Sequence, residues 1–291
     1  MKKNKALLGR LALFSTSLIW GTSFVVLKNA LETVGIFWIL AIRFSIAALI
    51  FGLAAGKRLF QMSRTAFKGG ILLGICLALA YIVQTFGLKY TTPGKNAFLT
   101  SAYCVLVPFL AWLIYQKKPD VYHIVAAILC VLGVGLVSLN ESLETINIGD
   151  ILTLLCGIFY ALQIIVLDRY LDDGEPLCLS VIQFAVAALI CWAGALPFEP
   201  VPHGISAGAW FSIAYMSVIC TGLCFFLEAW GIRYTPANTA AVLMTLEAVF
   251  GVLFSVLFFH EAVTPRLLAG FAVIFFSVIL SETKLKFCKR S

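Results

Sequence analysis

Charge in this chain is confined to short segments, and these divide it into apolar runs of about twenty residues. From Leu11 to Leu27, for instance, no side chain is charged. A helix of that length crosses the ~30 Å hydrocarbon layer of a bilayer with its backbone N–H and C=O groups paired internally. Ten runs of this kind fit, at 7–28, 34–55, 67–89, 96–116, 120–139, 149–168, 177–196, 208–231, 237–259 and 264–283. Of the 291 residues, 62% are hydrophobic and 12% charged, about half the charge of a soluble domain. A water-soluble fold with that balance would expose large apolar patches. The expectation is an all-α, multi-pass integral membrane protein. Its connections are short, and even "PFEPVPHGISAGA" after the seventh run is too small to fold alone. No soluble domain is left to carry enzymology.

Basic residues predict the orientation. With the N-terminus inside, "MKKNKALLGR", "GKRLFQMSRTAFK", "QKKPD", "DRYLDDGEP", "IRYTPAN" and "KLKFCKRS" face the cytoplasm and hold sixteen of the twenty-one Lys and Arg. The outer segments hold Lys28, Lys89, Lys95 and Arg266, and Arg43 lies within a helix. This asymmetry predicts cytoplasmic termini, an external "NESLETINIGD" segment and a plasma (inner) membrane location. Asp168, Asp172, Asp173 and Glu175 make one inner segment acidic, but acids weigh little in this rule. The net charge of +7 then reflects topology and contact with the lipid bilayer, not nucleic-acid binding. "MKKNK" before an apolar run resembles a signal peptide, yet the run is too long and lacks an A-x-A site. It reads as the first helix.

The chain also repeats itself. "GLKYTTPGKNAFL" from Gly87 returns as "GIRYTPANTAAVL" from Gly231, 144 residues on, without a gap. "IRFSIAALI" (Ile42–Ile50) returns as "IQFAVAALI" (Ile182–Ile190), 140 residues on. More weakly, "IWGTSFVVLK" (Ile19–Lys28) matches "FYALQIIVLD" (Phe159–Asp168). Two five-helix repeats follow, 1–140 and 141–291. Because five is odd, the second must enter the membrane inverted, an arrangement typical of secondary transporters with a site between the halves.

These stretches resemble the EamA-type branch of the drug/metabolite transporter superfamily. The likeness rests on "LIWGTSF", "IRFSIAAL", the "YTTPGKNAFL"/"YTPANTAAVL" corners, and "TLEAVFGVLFSVLFFHEAVTPRLLAG" with Glu261, Thr264, Pro265 and Gly270 in order. One departure is Ala248, where the family often has Pro. The resemblance implies ten helices around a central cavity and transport of small metabolites, often by efflux.

Three ionisable residues fall well inside helices: Arg43, Glu228 and Glu247. Mid-membrane charge costs about 2.5–3.5 kcal/mol on insertion scales, so such residues face a partner or a wet cavity. Two readings stand: a buried Arg43–Glu247 ion pair that locks the halves, or a substrate or proton site. The repeat adds aromatic–polar pairs three residues apart, Trp20/Ser23, Tyr81/Gln84, Tyr160/Gln163 and Phe225/Glu228. Four helices presenting such pairs suit a cavity for a small amphiphilic solute; core filling and interhelical bonding is the plainer alternative. The candidate substrate-binding set is therefore Trp20, Arg43, Tyr81, Gln84, Tyr160, Gln163, Glu228 and Glu247.

Other signals read as architecture. Gly70/Gly74 and Gly133/Gly135 suit close helix packing, and Pro108 predicts a kink. His123, His203 and His260 fall at helix ends or in loops. Cys220 and Cys224 are four apart, but no His completes a metal site; the nine cysteines read as packing residues, with no cofactor and no metal. No phosphate-binding loop or catalytic triad stands out. The expectation is a non-enzymatic secondary transporter, monomer or homodimer, of a small-molecule substrate: an organic metabolite, amino-acid-like compound or drug. The alternative is a membrane-embedded structural or accessory protein that transports nothing.

Overall fold

The computed structural model describes residues 2–116, 118–138, 147–170 and 175–284, so most of "NESLETINIGD" and the acidic pair Asp172/Asp173 lie outside the described residues. Ten helices are long and apolar enough to cross a membrane, and the described residues include no strand. They are α1 (Lys2–Ala30), α2 (Ile36–Ala55), α3 (Arg64–Tyr90), α4 (Pro93–Tyr115), α5 (Val121–Ser138), α6 (Ile148–Tyr170), α7 (Pro176–Phe198), α8 (Ala207–Tyr234), α9 (Ala237–Phe259) and α10 (Pro265–Thr283). Large apolar side chains such as Leu49, Leu132 and Phe258 point outward, as lipid contact requires.

Local chemistry sets the ends. The Ser63, Thr92, Ser206 and Thr264 hydroxyls accept from the N–H three residues on, and proline opens α4, α7 and α10. Gln116, His260 and Lys284 close α4, α9 and α10 in the left-handed region.

The packing has a twofold logic. Helix α1 packs on α9 and α8, as α6 packs on α4 and α3; α3 packs on α7 as α8 packs on α2. The pairs α2–α7, α4–α9 and α5–α10 complete the set. Exchanging each helix for the one five places along maps these contacts onto themselves.

The repeated glycine marks where backbones cross. At α3–α6, a Cβ on Gly149 would sit 2.7 Å from the Gly87 carbonyl oxygen, and one on Gly87 would sit 3.0 Å from that of Gly149. Their repeat counterparts Gly231 and Gly9 meet likewise at α8–α1, with a Gly231 Cβ 3.0 Å from the Gly9 oxygen. Hence the recurrence of "GLKY" and "GIRY": the third helix of each half can approach its partner only where no side chain intervenes.

Two irregularities matter. Helix α4 breaks at Ala102, six residues before the expected kink at Pro108, which sits inside the second segment, Tyr103–Tyr115. Pro108 has no N–H for the Cys104 carbonyl, and Ser281 of α10 bonds that oxygen instead (3.4 Å). Within α8, residues Tyr215–Leu223 form a π-helical segment, a feature frequent at functional sites. By contrast α9 is one unbroken helix through Ala248.

Candidate functional site

A continuous set of rings runs through the core. Phe44 of α2 and Phe184 of α7, each the other's repeat counterpart, are stacked with centroids 6.2 Å apart. Phe44 meets Tyr81 edge-on at 5.2 Å, and Tyr81 meets Tyr160 at 5.6 Å. On the other side Phe184 meets Phe225 at 5.1 Å, and Phe225 meets Trp20 at 5.6 Å. Each contact is thus built twice with nearly the same geometry.

The polar groups hung on this frame differ between halves. Around Tyr160 they are neutral and bonded: its hydroxyl donates to Gln84 Oε1 (2.8 Å), and Gln84 Nε2 donates to Thr100 Oγ1 (3.0 Å). At the counterpart positions the second half places Glu228 for Gln84, Met244 for Thr100 and Glu247 for Tyr103. Neither Glu228 nor Glu247 has a hydrogen bond or ion pair among the described residues, and both are half-buried. Glu247 feels the Glu228 and Arg43 charges. A deep carboxylate without a partner is costly unless water or a ligand reaches it.

Arg43 is almost wholly buried (2% exposed). Its Nε donates to Thr221 Oγ1 at 2.7 Å and its NH2 nitrogen lies 3.5 Å from the Tyr81 hydroxyl. The guanidinium also stands 4.7 Å from the Tyr81 ring centroid. No ion pair joins it to Glu247 in this conformation. Thr221 is held by the π-helical segment, its hydroxyl donating to the Met216 carbonyl five residues back (2.9 Å), while Trp20 Nε1 donates to the Cys220 carbonyl (2.6 Å). The counterparts of Arg43 and Thr221 are Gln183 and Leu77, so the cation and its orienting hydroxyl belong to one side alone.

Of the eight candidates, contacts join Tyr81 to Arg43, Tyr160 and, through Tyr160, Gln84; Trp20 joins through Phe225. Gln163 donates (3.3 Å) to Oε1 of Gln183, the repeat counterpart of Arg43. The sequence reading passed over Phe44, Phe184, Tyr103 and Thr221. The two phenylalanines had a signal, being identical in both copies of the nine-residue motif. Cys220 and Cys224 are buried free thiols, and among the described residues no His, Cys, Asp and Glu cluster suits a metal.

One end of the bundle is laced across the halves. Glu199, after α7, accepts from the Phe37 and Trp38 N–H groups at the start of α2 (3.2 Å each). Glu261, before α10, accepts from the Thr92 hydroxyl, the Gly94 N–H (3.1 Å) and the Ser255 hydroxyl. Asp150 of α6 accepts from Thr91 Oγ1 (2.5 Å) and lies 3.7 Å from Lys95 Nζ. Lys28 donates to the Leu88, Lys89 and Thr91 carbonyls at the end of α3 (2.6, 3.0 and 2.8 Å).

Ten membrane-length helices around paired rings and mid-helix charges define a multi-pass membrane protein of the transporter class. The chain belongs to the EamA-like transporter family, whose model matches residues 7–139 and again 147–283. It is 33% identical over 281 residues to an uncharacterized transporter of Archaeoglobus fulgidus, covering 97% of this chain and 88% of that one. It is 22% identical over 280 residues to a protein of Salmonella typhimurium named biotin transporter, covering 91% and 90%. A solved crystal structure with 17% identity superposes with a TM-score of 0.68 over 96% of this chain and 98% of the other, a likeness of fold.

Proposed function

We propose that this transporter moves a small organic solute bearing charged groups, such as a metabolite, an amino-acid-like compound or a drug, across the plasma membrane by alternating access, in the direction of efflux. The observation that carries the reading is charge at one copy only of three repeated core positions, 43, 228 and 247. Arg43 is aimed by Thr221 and Tyr81 and not bonded to Glu247. Its planar fork can therefore meet a solute carboxylate, while Glu228 and Glu247 meet an ammonium group and the tyrosines and Trp20 cover the apolar body. Lysine asymmetry supports cytoplasmic termini, which makes the laced end the external one. Efflux would then require the Glu199, Glu261 and Asp150 contacts to release and re-form on each cycle.

Uptake and efflux in vesicles across a metabolite panel, with and without a pH gradient, test the reading. Flux of at least one charged solute that falls on Arg43→Gln is expected; binding without flux would favour the accessory-protein alternative. Where flux follows the gradient, Glu228→Gln should abolish gradient-driven transport while sparing exchange. Unchanged pH dependence in that variant removes Glu228 from coupling.

A further inference from the structure

The turn between α2 and α3 forms a cleft of about 360 Å³, lined by Leu59, Met62, Ser63, Arg64, Phe67 and Lys68. Arg64 and Lys68 stand one turn apart at the start of α3. Both are exposed, and neither has an ion-pair or hydrogen-bond partner among the described residues. Lys57 is exposed in the same connection, and Phe60 projects outward at 90% exposure. Residues 57–68 include no acid. Arg58 differs from the rest, being paired with Glu175 (2.6 Å). Because the apolar spans Ile36–Gln61 and Arg64–Tyr90 end and begin here, the cleft lies at headgroup level.

The repeat supplies a comparison for local folding, its counterpart corner lying on the opposite membrane face in the orientation proposed above. The α7–α8 turn is the same corner in the other half: Ser206 caps α8 from Ala209 N–H (3.2 Å) as Ser63 caps α3 from Ala66 N–H (3.0 Å). Residues 199–206 of that corner hold no Lys or Arg. The corner therefore folds without cations, and cations early in a helix oppose its dipole. Local stability does not account for Arg64 and Lys68.

We infer that this cleft is a headgroup site for an anionic phospholipid of the phosphatidylglycerol class. Arg64 and Lys68 hold the phosphodiester, Lys57 adds to the attraction, and Leu59, Met62 and Phe67 receive the glycerol and the first methylenes of the chains. Phe60 inserts beside them as an interfacial anchor. The apolar half of the lining selects a lipid over free phosphate. On the orientation proposed above, the lipid comes from the cytoplasmic leaflet; the site itself does not depend on the transported solute.

The full chain in detergent, titrated with short-chain phosphatidylglycerol or phosphatidylcholine and read by native mass spectrometry, tests this. Phosphatidylglycerol should bind about tenfold or more tighter than phosphatidylcholine. The double variant Arg64→Gln/Lys68→Gln should lose roughly thirtyfold of that affinity, whereas the exchange Arg64→Lys/Lys68→Arg should keep most of it. Millimolar inorganic phosphate should not displace the lipid. Equal binding of the two lipids, full retention in the Gln variant, or displacement by phosphate would each overturn the assignment; if the Gln variant fails to fold, loss of binding in the charge-preserving exchange does the same.

Discussion

The two halves share a frame and differ in what they hang on it. Phe44–Tyr81–Tyr160 and Phe184–Phe225–Trp20 repeat the same ring contacts to within a few tenths of an ångström. At three repeated positions one copy is neutral and the other charged: Gln183 against Arg43, Gln84 against Glu228 and Tyr103 against Glu247. A shape needed by the fold recurs at both copies of a repeated position, whereas a charge at one copy only is not demanded by packing. Since mid-helix charge is destabilising in lipid, its restriction to one copy of each position points to a role other than folding. The two α2–α3-type corners differ as well, basic in the first half and without Lys or Arg in the second, the pattern expected when inversion puts them on opposite membrane faces.

The largest expected effect tests the shared frame. A Cβ on Gly149 would lie 2.7 Å from three backbone atoms, the Gly87 oxygen, Thr91 nitrogen and Tyr90 carbonyl carbon. Backbone where the end of α3 crosses the start of α6 is held by both helices, so Gly149→Val should cost about 3 kcal/mol. A Cβ on its counterpart Gly9 meets Thr235 Oγ1 at 3.0 Å, Tyr234 Cβ at 3.1 Å and the Gly231 oxygen at 3.2 Å, none as close as the Gly149 contacts. Gly9→Val should therefore cost less. Thermal unfolding in detergent compares the two, and equal losses would show the crossings to be equally tight.

The next test concerns what the halves do not share. Arg43→Gln copies the partner half's residue and removes a 2.7 Å charge-assisted bond; transport should fall about tenfold or more. Gln183→Ala removes only the 3.3 Å acceptor of Gln163 and should change flux far less. Adding Glu247→Gln to Arg43→Gln should recover part of the loss, because Glu247 lies in electrostatic range of Arg43 without bonding it. A double variant equal to the sum of its singles would confine Arg43 to Thr221 and Tyr81.

Much of the frame was legible from residues alone. Ten apolar runs predicted the helices, and the recurrence of Gly87 as Gly231 marked equivalent places in the two copies. Aromatic–polar spacing pointed to Tyr81, Gln84 and Tyr160, which do meet. Less legible was whatever depends on contact between distant segments or on a changed helical period. Thr221 faces Arg43 through a π-helical segment, where residues five apart come into register, so a 3.6-residue wheel misplaces it. Matching depth suggested Glu247 as the partner of Arg43, yet depth says nothing of azimuth, and the guanidinium turned to Thr221 and Tyr81. Glu199 and Glu261 cap helices more than 150 residues away in sequence; Glu261 stands in a motif the sequence offers, but no local pattern names the partner of either.

The smallest effect separates two caps at equivalent positions. Asp120 and Thr264, 144 residues apart, begin α5 and α10, each accepting from the N–H three residues on at 3.2 Å. The Thr264 cap is neutral. The Asp120 cap is charged: Lys284 Nζ lies 2.6 Å away, and the Asp120 N–H donates back to His123 Nδ1 (3.1 Å). The Lys284 ammonium is the main reason the Asp120 carboxyl is held below the usual carboxylate range, with the His123 N–H adding to it. A carboxyl lowered on folding stabilises the fold fully above its unfolded value, near 3.9. That contribution disappears as pH falls through the lower folded value and is constant from pH 5 to 8. Both partners are a third or more exposed, so screening keeps the gain small. Asp120→Asn should lower the melting temperature by about 1 °C at neutral pH and low salt. The difference should shrink in about 0.5 M salt and below about pH 3, whereas a Thr264→Ala difference should follow neither variable. An Asp120→Asn difference that ignores salt and pH would mean that cap geometry, common to both halves, sets the stability of α5 and that the Lys284 charge adds nothing to it.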